Sequence, residues 1–149
     1  MEKRIYTVGY AGRTPQEIKQ FLEDNDATLF DVRLSPNSKM PEWRKPSLQA
    51  LLGKRYYHCL SLGNDNRKGD LGPIDQPVMH DLEKGIFEVL NHPRTVVLMC
   101  LEYAQNQCHR GAIARELEKR GYKVSEIPHK PKSEKPPRRP RSGFLFSMT

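Results

Sequence analysis

The sequence lacks the features that place a protein in a membrane or outside the cell. No stretch approaches the roughly 20 consecutive apolar residues that a bilayer-spanning helix needs. The opening Met-Glu-Lys-Arg-Ile-Tyr has no apolar signal segment. The chain has three cysteines, an odd number that does not suggest a disulfide framework, so free thiols are expected. These absences predict a soluble, cytoplasmic protein that does not contact a membrane.

Common nucleotide and metal signatures are also missing. The chain has no GxxxxGK[ST] motif, and Gly9-Tyr10-Ala11-Gly12 does not fit GxGxxG. No CxxC or HxxxH pair is present, and the spacing between Cys100 and Cys108 is not typical of zinc modules. The sequence therefore predicts neither a metal nor another cofactor.

Positive charge is concentrated near the end of the chain. The 149 residues include 25 Lys and Arg and 18 Asp and Glu, a net charge of +7. Residues 129–149 hold six basic side chains and one glutamate, whereas residues 1–128 are nearly balanced. We therefore predict an α/β domain over 1–128 and a proline-rich basic tail over 129–149, either a solvated extension or a nucleic-acid arm. The basic residues of the tail are Lys130, Lys132, Lys135, Arg138, Arg139 and Arg141.

Segments rich in β-branched and aromatic residues alternate with segments of helical periodicity. The strands predicted from them cover residues 4–8, 28–32, 56–60, 95–100 and 122–127. The run at 95–100 is the most apolar, as expected for a central strand covered on both faces. Parallel strands need crossover connections, and right-handed crossovers place helices outside the sheet. The predicted fold class is therefore α/β, a three-layer α/β/α sandwich with a mostly parallel sheet of about five strands.

The helices between these strands have predicted beginnings. Thr14 and Glu17 fit a capping box around Pro15. Ser47 is the predicted N-cap of a short second helix, and Asp75 or a neighbour begins a third. Apolar residues at every fourth position indicate the buried face of this third helix, and they are Val78, Leu82, Ile86 and Leu90.

Polar residues follow three of the predicted strands, at the edge where open parallel sheets bind ligands. They are Gly9, Tyr10 and Arg13 after the first strand, Asp31, Arg33 and Ser38 at the second, and Cys100, Glu102, Cys108, His109 and Arg110 at the fourth. Asp31 and Arg33 lie on one side of their strand, so they suit either a buried ion pair or paired contacts to a polar ligand. The sequence therefore predicts one polar site at the carboxyl edge of the sheet.

The triplet Cys108, His109 and Arg110 lies at the predicted start of the last helix. Free backbone N–H groups and the helix dipole favour negative charge there, so a Cys108 thiolate or a bound phosphate suits the position. Glu102 lies on the same side as Cys100 and is a candidate general acid or base. A structural interpretation is also open, with Cys108 half-buried, Cys100 in the core and Glu102 in an ion pair.

Three segments together carry a family resemblance. They are Tyr6-Thr7-Val8-Gly9-Tyr10, then Asp31-Val32-Arg33 with Pro36 and Ser38, and Leu98-Met99-Cys100-Leu101-Glu102 followed by Cys108-His109-Arg110. With them the chain resembles the family catalogued as domain of unknown function 488, over roughly residues 4–128. The resemblance implies the α/β fold and a polar site made from these motifs, and it favours a functional role for the last triplet. The chain departs from the family at Trp43, where Phe is common, and at Asn64, where a second Gly is common.

These observations favour an enzyme acting on a nucleotide or nucleic acid, a hydrolase or transferase of a phosphate-containing substrate. The predicted catalytic residues are Cys108, Glu102 and Asp31. The predicted substrate-binding residues are Gly9, Tyr10, Arg13, Arg33, Ser38, Cys100, His109 and Arg110. The alternative is a non-catalytic nucleic-acid-binding module that uses the tail and the arginines of the edge. A third interpretation, a redox or sulfur-carrying protein, requires a reversible disulfide or persulfide at Cys100 and Cys108.

Overall fold

A computed structural model describes residues 3–34, 36, 38–66, 69–73, 76–100 and 109–127, without the side chains of residues 109 and 110. Five strands and four α-helices alternate within these residues. The strands are β1 (Ile5–Gly9), β2 (Ala27–Asp31), β3 (Tyr56–His58), β4 (Thr95–Cys100) and β5 (Val124–Glu126). The helices are α1 (Pro15–Asp24), α2 (Lys45–Leu52), α3 (Leu82–Asn91) and α4 (His109–Lys119). Single 3₁₀ turns lie at Pro41–Trp43, Gly53–Arg55 and Leu60–Leu62.

The five strands form one sheet in the order β3-β2-β4-β1-β5, and every pair is parallel. The prediction of an α/β fold with a mostly parallel sheet is confirmed. The central strand is β4, whose residues 96–100 are at most 2% exposed. Such a strand is apolar along its whole length because both of its faces meet helices.

Two apolar cores lie on opposite faces of the sheet and define three layers. On one face Ile18 and Leu22 of α1 pack with Leu48 and Leu52 of α2 against the sheet. The core of the other face takes its helical side chains from α3 and α4, and they are Ile86, Val89, Ile113 and Leu117. Within the described residues the longest helix, α4, has 11 residues, and no helix is long and apolar enough to cross a bilayer.

The first two helices begin by different means. At α1 the capping box is confirmed, since the Glu17 backbone N–H donates to Thr14 Oγ1 and the Thr14 N–H to Glu17 Oε1. At α2 the predicted N-cap is wrong, because the helix begins at Lys45 and Ser47 lies inside it. Pro46 lies in the first turn, where backbone N–H groups have no partner within the helix. A proline there costs no hydrogen bond, so the helix can begin before Ser47.

The third helix begins later than its apolar spacing predicts. It begins at Leu82, and the side chain of Asp81 caps it by accepting a hydrogen bond from the Lys84 N–H. The prediction of a start near Asp75 is therefore wrong. Val78 lies outside the helix and is 39% exposed, so it does not belong to the buried stripe.

Asparagine side chains organise the segment before α3 and compete there with helix formation. Asn66 is fully buried, and its amide donates to the carbonyl oxygens of Pro73 and Gln76 at 2.9 and 2.8 Å. Its own oxygen accepts from the Leu71 N–H at 2.7 Å. Asn64 Oδ1 accepts from backbone N–H groups on both sides of this segment. These hydrogen bonds hold the backbone in a loop, and the same residues could not form them in a helix.

Candidate functional site

The carboxyl ends of four strands lie side by side at one edge of the sheet. In the register, His58 of β3 is level with Asp31 of β2, and Asp31 with Met99 of β4. Cys100 of β4 is level with Gly9 of β1. Backbone hydrogen bonds between neighbouring segments continue for one residue beyond the ends of the strands. Among the predicted site residues, this edge therefore brings together Gly9, Tyr10, Asp31 and Arg33.

At the end of β2, Asp31 and Arg33 form a buried bidentate ion pair. Arg33 donates from Nε to Asp31 Oδ1 at 2.7 Å and from Nη2 to Oδ2 at 2.6 Å. Asp31 is fully buried and Arg33 is 9% exposed. Burial acts to lower the pKa of Arg33, but the hydrogen bonds and charge of Asp31 outweigh it and raise the pKa above its ordinary value. The guanidinium therefore stays charged.

Tyr56 of β3 adds a further donor to the same carboxylate. Its hydroxyl donates to Asp31 Oδ2 at 2.6 Å, and the Arg33 backbone N–H donates to Oδ1 at 3.2 Å. Burial and then the charge of Asp31 raise the pKa of Tyr56 above its ordinary value, so the phenol keeps its proton. Asp31 is thus surrounded by donors, which suits a role in positioning Arg33, and the catalytic role predicted for Asp31 from the sequence stays a prediction.

Two stacked aromatic rings support the other side of the guanidinium. The Cζ atom of Arg33 lies 5.2 Å from the ring centroid of Tyr10, and the Tyr10 ring stacks on Trp43 at 4.5 Å. Both rings are almost completely buried. Trp43 therefore contributes to the core beneath the site, and its ring is not exposed to a ligand.

One part of the guanidinium is left without strong acceptors. An arginine side chain has five N–H groups, of which Asp31 takes one on Nε and one on Nη2. Among the described residues, its other contacts are with two hydroxyls: that of Tyr10, 3.5 Å from Nη1, which is a long contact, and that of Tyr56. The N–H groups of Nη1 and Nη2 therefore have one strong acceptor, the Asp31 carboxylate, and otherwise meet only the Tyr10 and Tyr56 hydroxyls in the described part of the chain.

Arg13 and Ser38 both form hydrogen bonds with backbone groups. Arg13 donates to the carbonyl oxygens of Gly9 and Ile127 at 3.2 and 2.9 Å and so joins the ends of β1 and β5. Burial lowers the pKa of Arg13 despite the nearby charges of Glu17 and Glu126. Ser38 accepts from the Met40 N–H through its hydroxyl. These contacts describe how the edge is built, and they leave the predicted substrate contacts as predictions.

Cys100 ends the central strand and is disulfide-bonded, whereas Cys59 is a free, buried thiol. The expectation of free thiols throughout is therefore wrong for Cys100. The predicted site residues that lie outside the described part of the chain are Glu102, Cys108, the side chains of His109 and Arg110, and the tail residues Lys130, Lys132, Lys135, Arg138, Arg139 and Arg141. In the part that is described, no three His, Cys, Asp or Glu side chains come close enough to hold a metal ion.

Two residues of β3 belong to this edge and were not identified from the sequence. Tyr56 binds Asp31, and His58 Nε2 lies 2.8 Å from the carbonyl oxygen of Arg33. Both residues are part of the predicted third strand, but their partners depend on which strand lies beside β2. The sequence offers no signal for His58, because the predicted strand covers 56–60, and only the structure, in which β3 ends at His58, places it where ligands bind.

Comparison with protein-family models identifies the family of the chain. The family model Domain of unknown function DUF488 matches residues 15–117, more than half of the chain. The chain belongs to this family. The DUF488 match spans Asp31, Arg33, Tyr56 and His58, whereas Gly9, Tyr10 and Arg13 of the same edge precede it. No curated protein and no solved structure matches the chain.

Proposed function

We propose that this DUF488 protein is an enzyme that binds the phosphate group of a nucleotide or nucleic acid at the carboxyl edge of its sheet. The observation that carries the proposal is the Nη1–Nη2 side of Arg33, which lacks strong acceptors among the described residues. N–H groups on a buried cation that lack strong acceptors cost free energy, and a phosphate supplies two acceptor oxygens in matching geometry. Because Asp31 and Tyr10 already hold the guanidinium, binding costs little additional side-chain entropy.

The chemical step is proposed for residues that follow β4 in the chain. Glu102 is the proposed general acid or base, and Cys108, in its reduced thiol form, is the proposed nucleophile or an anion contact beside Arg110. Asp31 acts through Arg33, as a positioning residue. In this proposal the carboxyl edge binds the phosphate, and the residues after β4 carry out the reaction.

Binding is tested with inorganic phosphate and AMP, followed by ¹H–¹⁵N NMR spectra of the full-length protein. We expect saturable shifts of the backbone amides of Tyr10 and Arg33. Arg33→Lys keeps the positive charge but loses the planar guanidinium that can bind two oxygens at once, so the affinity for phosphate should fall by about tenfold or more. The matched control is Arg55→Gln, which removes an arginine just before β3, at the opposite edge of the sheet, and should bind as the unaltered protein does.

Two results would count against this part of the proposal. The first is an unchanged phosphate affinity in a folded Arg33→Lys variant, with folding checked by the near-ultraviolet circular dichroism of the Tyr10–Trp43 stack. The second applies even if that variant does not fold. It is a shift map of the unaltered protein in which phosphate moves amides near Arg55 and leaves those of the carboxyl edge in place.

Turnover separates an enzyme from a binding module. Release of inorganic phosphate from AMP and from p-nitrophenyl phosphate is measured for the unaltered protein, Glu102→Gln and Cys108→Ser. We expect both variants to lose turnover and to keep their affinity for AMP. Deleting residues 130–149 should leave AMP binding and turnover unchanged. If the deletion instead removes most of the salt-dependent affinity for single-stranded DNA and no substrate is turned over, the protein is a nucleic-acid-binding module.

The disulfide at Cys100 favours thiol redox chemistry as a second candidate function. In exchange with glutathione, two glutathione thiols would reduce the bond to two cysteine thiols and become glutathione disulfide. The test equilibrates the native protein in glutathione redox buffers and measures the reduced fraction of Cys100 by alkylation and mass spectrometry. A midpoint potential within the range of cellular glutathione, with Cys108 becoming reduced in parallel with Cys100, supports this candidate. A bond that is absent, or that resists reduced glutathione throughout, removes it.

A further inference from the structure

The imidazole of His58 contacts the main chain of the phosphate-binding arginine. His58 ends β3, and its Nε2 atom lies 2.8 Å from the carbonyl oxygen of Arg33. A carbonyl oxygen only accepts hydrogen bonds, so Nε2 must carry the hydrogen. In the neutral ring the other nitrogen, Nδ1, is then unprotonated and has a free lone pair.

Strand geometry puts His58 on the face that bears the proposed phosphate site. Side chains alternate along a strand, so His58 and Tyr56 lie on the same face of the sheet. Tyr56 reaches Asp31 on that face, and His58 is level with Asp31 in the register. The ring of His58 is half-buried, and within the described part of the chain its Nδ1 atom has no hydrogen-bond partner.

We propose that His58 is an acid–base residue of the phosphate site and acts through Nδ1. This inference rests on the proposed function and adds a residue that the sequence did not predict. Nδ1 accepts a hydrogen bond from a hydroxyl of the bound phosphate or from a water beside it. During turnover it takes a proton from that water as the water oxygen bonds to phosphorus and the bond from phosphorus to the leaving group breaks, and the protonated ring then returns the proton to the leaving group. Arg33 then has two tasks, because its guanidinium binds the phosphate while its carbonyl fixes the tautomer of the base.

The tautomer is measured directly in protein labelled with ¹⁵N in its histidine rings. The chain has five histidines, and the signals of His58 are those that disappear in His58→Gln. Two-bond ¹H–¹⁵N spectra should show the neutral ring of His58 as the Nε2–H form. Inorganic phosphate should shift the Nδ1 resonance and leave the Nε2 resonance nearly in place. In Arg33→Lys the same phosphate concentration should leave Nδ1 unshifted.

A pair of variants separates the base from the structural hydrogen bond. His58→Gln can keep a donor where Nε2 was, and so the bond to the Arg33 carbonyl, but it has no acceptor in place of Nδ1. His58→Ala loses both. We expect both variants to bind phosphate about tenfold more weakly, since each loses one hydrogen bond to the ligand. The matched control is His92→Gln, which alters a histidine bound to Thr28 and should bind phosphate normally.

The outcomes distinguish the two proposals. Saturable phosphate binding that leaves Nδ1 unshifted, with His58→Gln binding normally, overturns the role of His58 and leaves the phosphate site standing. A ring found as the Nδ1–H form overturns it as well. If phosphate does not bind at the carboxyl edge, the proposed function fails and the role of His58 fails with it. The tautomer then still reports whether the contact with the Arg33 carbonyl exists in solution.

Discussion

The hydroxyl of Tyr56 and the carboxylate of Asp31 meet at 2.6 Å across two neighbouring strands. Together with Arg33, this contact surrounds a negative charge that is completely removed from solvent. A buried charge is tolerated only while its partners are present, because each partner replaces interactions with water. The three side chains therefore form one unit whose members cannot be changed independently.

Replacing Asp31 by Asn should strongly destabilise the protein. The amide keeps the shape of the carboxylate but leaves the Arg33 charge buried without its counter-ion, so the free energy of unfolding should fall by roughly 3–5 kcal/mol. Urea denaturation followed by circular dichroism measures the change. The matched control is Asp26→Asn, which alters an exposed carboxylate paired with Arg55 and Arg94 and should cost no more than about 1 kcal/mol. Equal losses in the two variants would contradict the prediction.

Cys59 should be nearly unreactive in the native protein. Its thiol is buried and donates to Glu88 Oε1 at 3.4 Å, while Tyr57 donates to the other oxygen of Glu88. Burial, and then the charge of Glu88, raises the pKa of Cys59 to about 12. Iodoacetamide labelling at pH 8.5, read by peptide mass spectrometry, should therefore be far slower than in urea-unfolded protein. Labelling at the unfolded rate would show that the thiol is accessible and ionised.

The same shift in pKa affects stability at high pH. A thiol whose pKa is raised on folding stabilises the native state fully below its unfolded pKa, and this contribution disappears as the pH rises through the folded pKa. Taking the ordinary value of 9.0 for the unfolded chain, the loss should fall between pH 9 and about pH 12. Urea midpoints across this range should decrease less in Cys59→Ala than in the unaltered protein. Parallel decreases would assign the pH dependence to other groups.

Replacing Asn66 by Asp should disorder the loop before α3. The carboxylate can still accept from the Leu71 N–H, but it cannot donate to the carbonyl oxygens of Pro73 and Gln76. We expect a loss of roughly 2–4 kcal/mol and faster hydrogen exchange at the Leu71 amide. The control makes the same change at Asn25, the partly exposed C-cap of α1, where losing one hydrogen bond to Phe21 and adding a negative charge should cost only about 1 kcal/mol. Unchanged exchange at Leu71 would mean that Asn66 does not hold the loop.

Gly85 of α3 should not tolerate alanine. Alanine normally favours a helix over glycine by about 0.5–1 kcal/mol. Here a Cβ atom would lie 2.4 Å from Cγ of the buried Leu62, so we expect a net loss of about 1–3 kcal/mol instead. In a Leu62→Ala background the same change at Gly85 should cost little. A double-mutant cycle by urea denaturation measures the coupling, and additive effects would exclude the contact as the cause.

Local signals account for the parts of the fold that could be predicted from the sequence. The apolar run at 95–100 and the pairing of Thr14 with Glu17 each lie within one short segment, and both features are confirmed. The starts of α2 and α3 could not be predicted equally well. The loop before α3 depends on the amide of Asn66 binding carbonyl oxygens up to ten residues away, and periodicity does not reveal such bonds.

The candidate site divides in the same way. Asp31 and Arg33 could be paired from the sequence because they lie two residues apart at the end of one extended segment. Tyr56 and His58 reach them from another strand, and the sequence does not reveal that β3 lies next to β2. Residues brought together only by strand order cannot be identified from spacing along the chain, however regular that spacing is.

The position of β4 between β1 and β2 also determines when the protein can fold during synthesis. Among the described residues β1 pairs only with β4 and β5, both of which are made much later. On the ribosome, residues 5–9 therefore have no partner strand until residues 95–100 have emerged. Pairings this distant along the chain are slow to form. A nascent chain that stalls before residue 95 would hold β2 and β3 but no sheet that includes its first strand, and it would expose apolar surface to chaperones and proteases.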